Sequence, residues 1–116
     1  DAIIISNHGG RQLDDTVSTI SMLPKIKSVL DDSVELWLDG GIRSGQDILK
    51  SIALGADSTL VGRAFLYGLG ANGKEGVKKS LEIIRKELDL TMALCGRNNI
   101  NTVTSDILQK NYFDHQ

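Results

Sequence analysis

Three apolar runs punctuate the chain, each cut short by glycine and each followed by apolar residues at helical spacing. The first, Ala2-Ile3-Ile4-Ile5, closes at Ser6 and gives way to Asn7-His8-Gly9-Gly10. A β-branched run broken by two glycines predicts a buried strand that ends in a tight loop. Polar Thr16 to Ser21 then leads into a helix reaching about Leu30, with Pro24 tolerable only in its first turn. Asp31-Asp32-Ser33 reads as a turn. The second run, Val34 to Leu38, stops at Asp39-Gly40-Gly41-Ile42-Arg43. A helix opens at Ser44, whose hydroxyl can cap it in a box with Asp47. Ile48, Leu49 and Ile52 form its apolar stripe, and Gly55 ends it.

The third run, about Asp57 to Val61, ends in Gly62-Arg63. The pattern then predicts a short helical turn over Ala64 to Tyr67, a glycine-rich link from Gly68 to Gly73, and the longest helix from Lys74 or Glu75 to Ala93. Val77, Leu81, Ile84 and Leu88 recur at helical spacing and mark its buried face. The tail from Gly96 to Gln116 is polar, with a short helix expected near Asp106 to Lys110. Strand-helix alternation implies an α/β fold with parallel strands joined by right-handed crossovers.

Composition narrows the function classes. With 116 residues the chain is one small domain or a piece of a larger one. A net charge of −2 leaves no basic footprint, and aromatics are few, so nucleic acid is not an expected partner. No apolar stretch approaches the length needed to span a bilayer, and the start has no basic leader. The single cysteine, Cys95, fits a reducing compartment such as the cytoplasm and reads as a small packed hydrophobe rather than a nucleophile. The first residue is Asp1 and a strand begins at once, so the chain is expected to be the C-terminal part of a longer protein.

The loops carry the chemistry. Ser6-Asn7-His8-Gly9-Gly10-Arg11-Gln12 places a proton acceptor, His8, three residues before a fixed cation, Arg11. A base beside an anion clamp is the minimum needed to take a proton from a small carboxylic acid. The plainer alternative is a histidine that only caps a strand end. The blocks Asp39 to Gly45 and Val61 to Arg63 combine glycines, helix starts and two arginines, which suits a phosphate dianion. Ordinary turn glycines beside solvated arginines are the alternative there.

The heptapeptide Ser6 to Gln12, with the two blocks downstream, resembles the active-site sequence of the FMN-dependent α-hydroxy acid dehydrogenases and oxidases. Gly10 departs from the alanine of many glycolate oxidases. Gly-Gly-Arg-Gln-Leu-Asp and Gly-Arg-Ala-Phe-Leu-Tyr-Gly are more similar to the bacterial respiratory L-lactate dehydrogenases. The resemblance implies a (β/α)8 TIM barrel of which this chain supplies the last three βα units, strands six to eight. Residues 1–95 would be the C-terminal part of that barrel and residues 96–116 a C-terminal tail. The first and third strands would expose unpaired edges in a lone chain.

By the same resemblance His8 is the catalytic base, Arg11 binds the substrate carboxylate, and Asp39, Gly41, Arg43, Gly62 and Arg63 bind FMN, with no metal. Asp39 would face the ribityl hydroxyls, because a carboxylate beside the phosphate would be repelled. The implied reaction is oxidation of an L-2-hydroxy acid, lactate by preference, to the 2-keto acid. Flavin-ring contacts, a substrate tyrosine and the carboxylate partner of the histidine would come from a preceding N-terminal part, so this chain alone is not expected to turn over. The resemblance also brings homo-oligomers and peripheral attachment to the inner membrane face into view. An FMN-dependent isomerase and a non-catalytic remnant are the competing readings.

Other features carry less. Gly68 to Gly73 spells G-x-G-x-x-G, but it does not sit directly at a strand end, so a link between helices is preferred over a dinucleotide fingerprint. Trp37 is expected in the core and His115 in solvent. Arg97, Asn98 and Asn99 fit either a mobile loop or a lid contact. Lys78, Lys79, Arg85 and Lys86 read as a solvated helix face.

Overall fold

A computed structural model of the chain describes residues 1–109. His115 and the end of the expected tail helix at Lys110 lie outside the described residues. Three strands, β1 (Ala2–Ile5), β2 (Glu35–Asp39) and β3 (Ser58–Leu60), alternate with three helices, α1 (Thr19–Lys27), α2 (Gly45–Ala53) and α3 (Arg63–Leu94). The strands form one parallel sheet in the order β1-β2-β3, which leaves β1 and β3 each with one unpaired edge among the described residues.

Among the described residues, one face of the sheet packs under α1 and α2 and the other is open at β1. Ile5 pairs in register with Leu38, and Ile3 with Leu36. Ile5, Leu36 and Leu38 are buried with Leu23 of α1, Ile42 and Ala56. Leu23, Leu36 and Leu38 are almost wholly removed from water, each contributing roughly 1.5–3 kcal/mol of transfer free energy. Strand side chains alternate between faces, so Ala2, Ile4, Glu35, Trp37, Asp39, Ser58 and Leu60 share the opposite one. No described helix covers that face at β1, where Ile4 is 49% exposed. Trp37 is therefore on the uncovered face and only half-buried, not in the core as expected. Its indole N–H donates to the Glu35 carboxylate at 2.8 Å.

The helices differ from the sequence pattern at two places. Helix α1 starts at Thr19, which puts Pro24 in its interior instead of its first turn. The early start follows from Thr19, which is buried and donates its hydroxyl to the Gly40 carbonyl at 3.3 Å, drawing the first turn onto the sheet. Pro24 is exposed, and its missing N–H leaves a single helical bond unmade. Helix α2 matches the expectation, including the reciprocal Ser44–Asp47 capping box.

The second difference is α3. Helix runs straight through Gly68 and Gly70, and only Asn72 and Gly73 leave helical geometry. The link is thus narrower than Gly68 to Gly73, and the segment before it is longer than Ala64 to Tyr67. The two arms fold back so that a Cβ on Gly76 would lie 1.8 Å from the Gly68 carbonyl oxygen. Glycine at both positions permits that backbone approach. The buried face of the second arm is centred on Ile84, with Val77 and Leu88 half-buried and Leu81 exposed. Leu81 misses the core because α2 docks one turn later, where Gly45 meets the backbone of Ile84 to Leu88.

Beyond α3, Gly96 in a left-handed conformation (φ 68°) ends the helix, with Arg97 N–H bonded to the Met92 carbonyl and Gly96 N–H to that of Ala93. Cys95 sits at this exposed end and is not packed as expected. The tail turns back, and Val103 joins Leu49 and Ala53 in a second apolar cluster. Arg97 pairs there with Asp106. The Thr104 hydroxyl, with help from Arg97, holds the Asp106 carboxyl below the usual carboxylate range.

The glycine geometry gives opposite predictions for Gly70 and Gly76, one on each arm. Gly70→Ala meets nothing within 4 Å and is expected to stabilise the fold by about 0.5–1 kcal/mol through helix propensity. Gly76→Ala forces the two arms apart and is expected to cost about 1–3 kcal/mol or more. Denaturant midpoints of the two variants against the parent sequence check both signs.

Candidate functional site

The parallel register brings the C-terminal ends of β1, β2 and β3 to one level, and the three loops that leave them converge. After Ser6 the chain makes a turn closed by the Gly10 N–H donating to the Asn7 carbonyl at 3.0 Å. His8, Gly9 and Gly10 all have positive φ, at 54°, 68° and 71°. The two glycines adopt this geometry freely. His8 does not, and a side chain held there costs on the order of 1–3 kcal/mol. His8 and Arg11 are both exposed at the mouth of the cleft the loops enclose.

The β2 loop turns through Gly40 (φ 103°) and Gly41 (φ 81°), with Ile42 buried beneath and Arg43 exposed. The start of α2 behind it is already filled. Arg43 and Ser44 N–H groups both donate to the Asp47 carboxylate at 3.0 Å, Asp47 N–H donates to the Ser44 hydroxyl at 3.2 Å, and Gly45 N–H donates to the Glu87 carboxylate at 3.0 Å. Two carboxylates occupying one helix start leave no place there for a further anion.

The start of α3 is different. Gly62 provides no side-chain cap, and its carbonyl accepts from Phe65 and Leu66. The leading N–H groups of α3 therefore remain available where Arg63 begins the helix. Arg63 reaches across the cleft and donates from Nη2 to the Gly9 carbonyl at 3.0 Å. Of the two helix starts that the sequence offers to a phosphate, the structure leaves that of α3 open, flanked by Arg43 and Arg63.

One cleft of about 210 Å³ is lined by His8, Arg11, Asp39, Gly41, Arg43, Gly62 and Arg63, together with Gly9, Gly40 and the apolar Ile42, Leu60 and Leu66. Every site residue singled out in the sequence thus lines a single cleft. Its volume is below the roughly 300–1,000 Å³ of pockets that enclose a drug-sized ligand. It suits a phosphate and sugar better than a whole ring system. Arg97 does not line this cleft.

The sequence pattern missed three supporting residues. Ser6 donates its hydroxyl to the Asp39 carboxylate at 2.6 Å, Asn7 donates its side-chain amide to the Val17 carbonyl at 3.3 Å, and Thr19 holds Gly40. Ser6 and Asn7 lie inside the heptapeptide and could have been noticed. Thr19 gives no local signal, because its partner is remote in sequence.

Known proteins give a consistent picture. The sequence profile of the FMN-dependent dehydrogenases matches residues 1–110. A 2-hydroxyacid oxidase of Dictyostelium discoideum is 50% identical over 108 residues, covering 93% of this chain. An L-lactate dehydrogenase of Pseudomonas putida is 47% identical over 108 residues, again 93% of this chain. The chain spans 28% of the length of each of these relatives. Among solved structures, a flavocytochrome b2 mutant with pyruvate bound superposes with a TM-score of 0.87 at 39% identity, over 91% of this chain and 28% of that one.

The left-handed histidine makes its own prediction. His8→Gly relieves the strain without removing a buried side chain, and is expected to raise folding stability by about 0.5–1 kcal/mol. Equilibrium denaturation checks this. A drop in stability would mean that the imidazole makes contacts that offset its backbone cost.

Proposed function

The chain belongs to the FMN-dependent dehydrogenase family, and from that premise we propose that its cleft is one part of a flavin site that oxidises an L-2-hydroxy acid, L-lactate by preference, to the 2-keto acid. The convergence of His8, Arg11, Asp39, Gly41, Arg43, Gly62 and Arg63 on one cleft is the observation that carries this reading. The bacterial L-lactate dehydrogenase relative and the pyruvate-bound neighbour support the choice of lactate.

FMN is the cofactor of this family, and the residues present fit it. The open start of α3, with Arg43 and Arg63 beside it, supplies fixed bidentate donors and backbone N–H groups for the phosphate. A Cβ at Gly41 or Gly62 would meet no protein atom within 4 Å, which leaves room for a ligand over both. Asp39 lines the same cleft, where its carboxylate would accept from ribityl hydroxyls, since a carboxylate facing the phosphate would be repelled. Bound flavin supplies the two-electron acceptor.

The chain's own residues do the rest. Arg11 pairs with the substrate carboxylate and fixes the orientation of the α-carbon. His8, in its neutral form, takes the proton that leaves the substrate as it is oxidised. Both are exposed in this chain, so exclusion of water must come from other parts of the enzyme.

In this reading β1, β2 and β3 are strands six to eight of a (β/α)8 barrel. The uncovered sheet face that carries Ile4, Trp37 and Leu60 would be barrel interior, and the free edges of β1 and β3 would pair with the neighbouring strands. Among the described residues no helix is long and apolar enough to cross a membrane.

Flavin titration of the protein that carries this chain, followed by fluorescence, tests the assignment. Arg43→Ala and Arg63→Ala are each expected to weaken FMN binding about tenfold or more, since a hydrogen bond to a charged group contributes roughly 1.5–3 kcal/mol. L-Lactate added anaerobically is expected to bleach the bound flavin, and His8→Ala to abolish the bleaching. The 116-residue chain alone is expected to bind weakly and not to bleach. FMN affinity indifferent to both arginines would overturn the site assignment.

A further inference from the structure

The strained turn at His8 is gripped from both sides by the loops assigned above to the cofactor. From the β3 loop, Arg63 holds the Gly9 carbonyl. On the β2 side the grip passes through one hydroxyl. Ser6 Oγ donates to the Asp39 carboxylate at 2.6 Å and accepts the His8 N–H at 3.2 Å. A hydroxyl has one proton. With that proton committed to Asp39, a lone pair is left to face the His8 amide, and the two bonds polarise each other.

We propose that Ser6 is a positioning residue for His8, transmitting the placement of Asp39 to the backbone of the base. A non-glycine residue in the left-handed region persists only where its surroundings over-determine it. The Asn7–Gly10 bond closes the turn but does not touch His8 itself. Ser6 is the residue that engages the His8 amide directly, and it is anchored to a different strand. Removing the hydroxyl frees the amide, lets φ relax away from 54° and swings the imidazole out of line. Asp39 would then both face the cofactor sugar and hold the base. The inference rests on the reading of His8 as that base.

Ser6→Ala and Ser6→Thr in the protein that carries this chain test it by two readouts. The first is hydrogen exchange at the His8 amide. Ser6→Ala is expected to speed it about tenfold while Leu38 in β2 is unchanged, and Ser6→Thr, which keeps the hydroxyl, is expected to restore it. The second is turnover of L-lactate. Ser6→Ala is expected to lower kcat about tenfold or more, with KM within about twofold, because misplacing a base affects the transition state more than substrate binding. Ser6→Thr is expected to recover most of kcat.

Unchanged exchange at His8 in Ser6→Ala overturns the proposal, whether or not the protein oxidises any hydroxy acid. So does failure of Ser6→Thr to restore exchange. If the parent protein oxidises no 2-hydroxy acid, the functional reading fails, and the exchange measurement still decides whether Ser6 positions His8.

Discussion

Parallel pairing in one fixed register is the constraint on which the rest of this structure depends. Ile5 opposite Leu38, and Asp39 opposite Leu60, set three strand ends at the same height. Each loop then leaves the sheet at the same edge, and residues far apart in the chain arrive in a single cleft. A slip of one residue would turn Asp39 toward α1 and α2, and Leu38 toward the cleft. The apolar packing of Ile5, Leu36 and Leu38 under the helices therefore stabilises the fold and also fixes which carboxylate reaches the site.

Electrostatics sorts the two helix starts at that edge. Helix α2 begins among carboxylates: Asp47 caps it from within and Glu87 from α3. Helix α3 begins at a glycine with no cap and with an arginine at its first position. An anion gains from the second start and is repelled from the first. Glu87 also ties the α2 start to the second arm of α3, where Gly45 is packed against backbone and no side chain would fit. The α2–α3 contact thus gives the Arg43 loop a rigid base.

The loop that carries His8 is built the opposite way. Its backbone is strained at His8, the His8 and Arg11 side chains are exposed, and what holds it are bonds from the other loops. The uncovered sheet face beside it carries Trp37, Ile4 and Leu60, a pattern that asks for a further layer of protein. Under the proposed reading, a cleft too small for a flavin ring and a sheet face left open at β1 would both be completed by further protein.

Much of this was legible in the sequence because it is local. The three strands follow from apolar runs, the Ser44–Asp47 box from side chains one turn apart, and the glycine breaks from backbone geometry that other residues resist. The heptapeptide around His8 and the arginines at positions 43 and 63 offer a proton acceptor and fixed cations by residue type, and it is the family resemblance that implies their roles. What the sequence left undecided depends on partners distant along the chain. Thr19 pulls α1 onto Gly40 and moves Pro24 into the helix interior. Gly68 and Gly76 meet only after the chain doubles back. Which helix start is free for an anion depends on Glu87, far downstream of Gly45. Local propensity and spacing determined the elements and the chemical groups. Only the tertiary structure decided how those groups face one another, because hydrogen bonds between loops are set by where the sheet brings their ends.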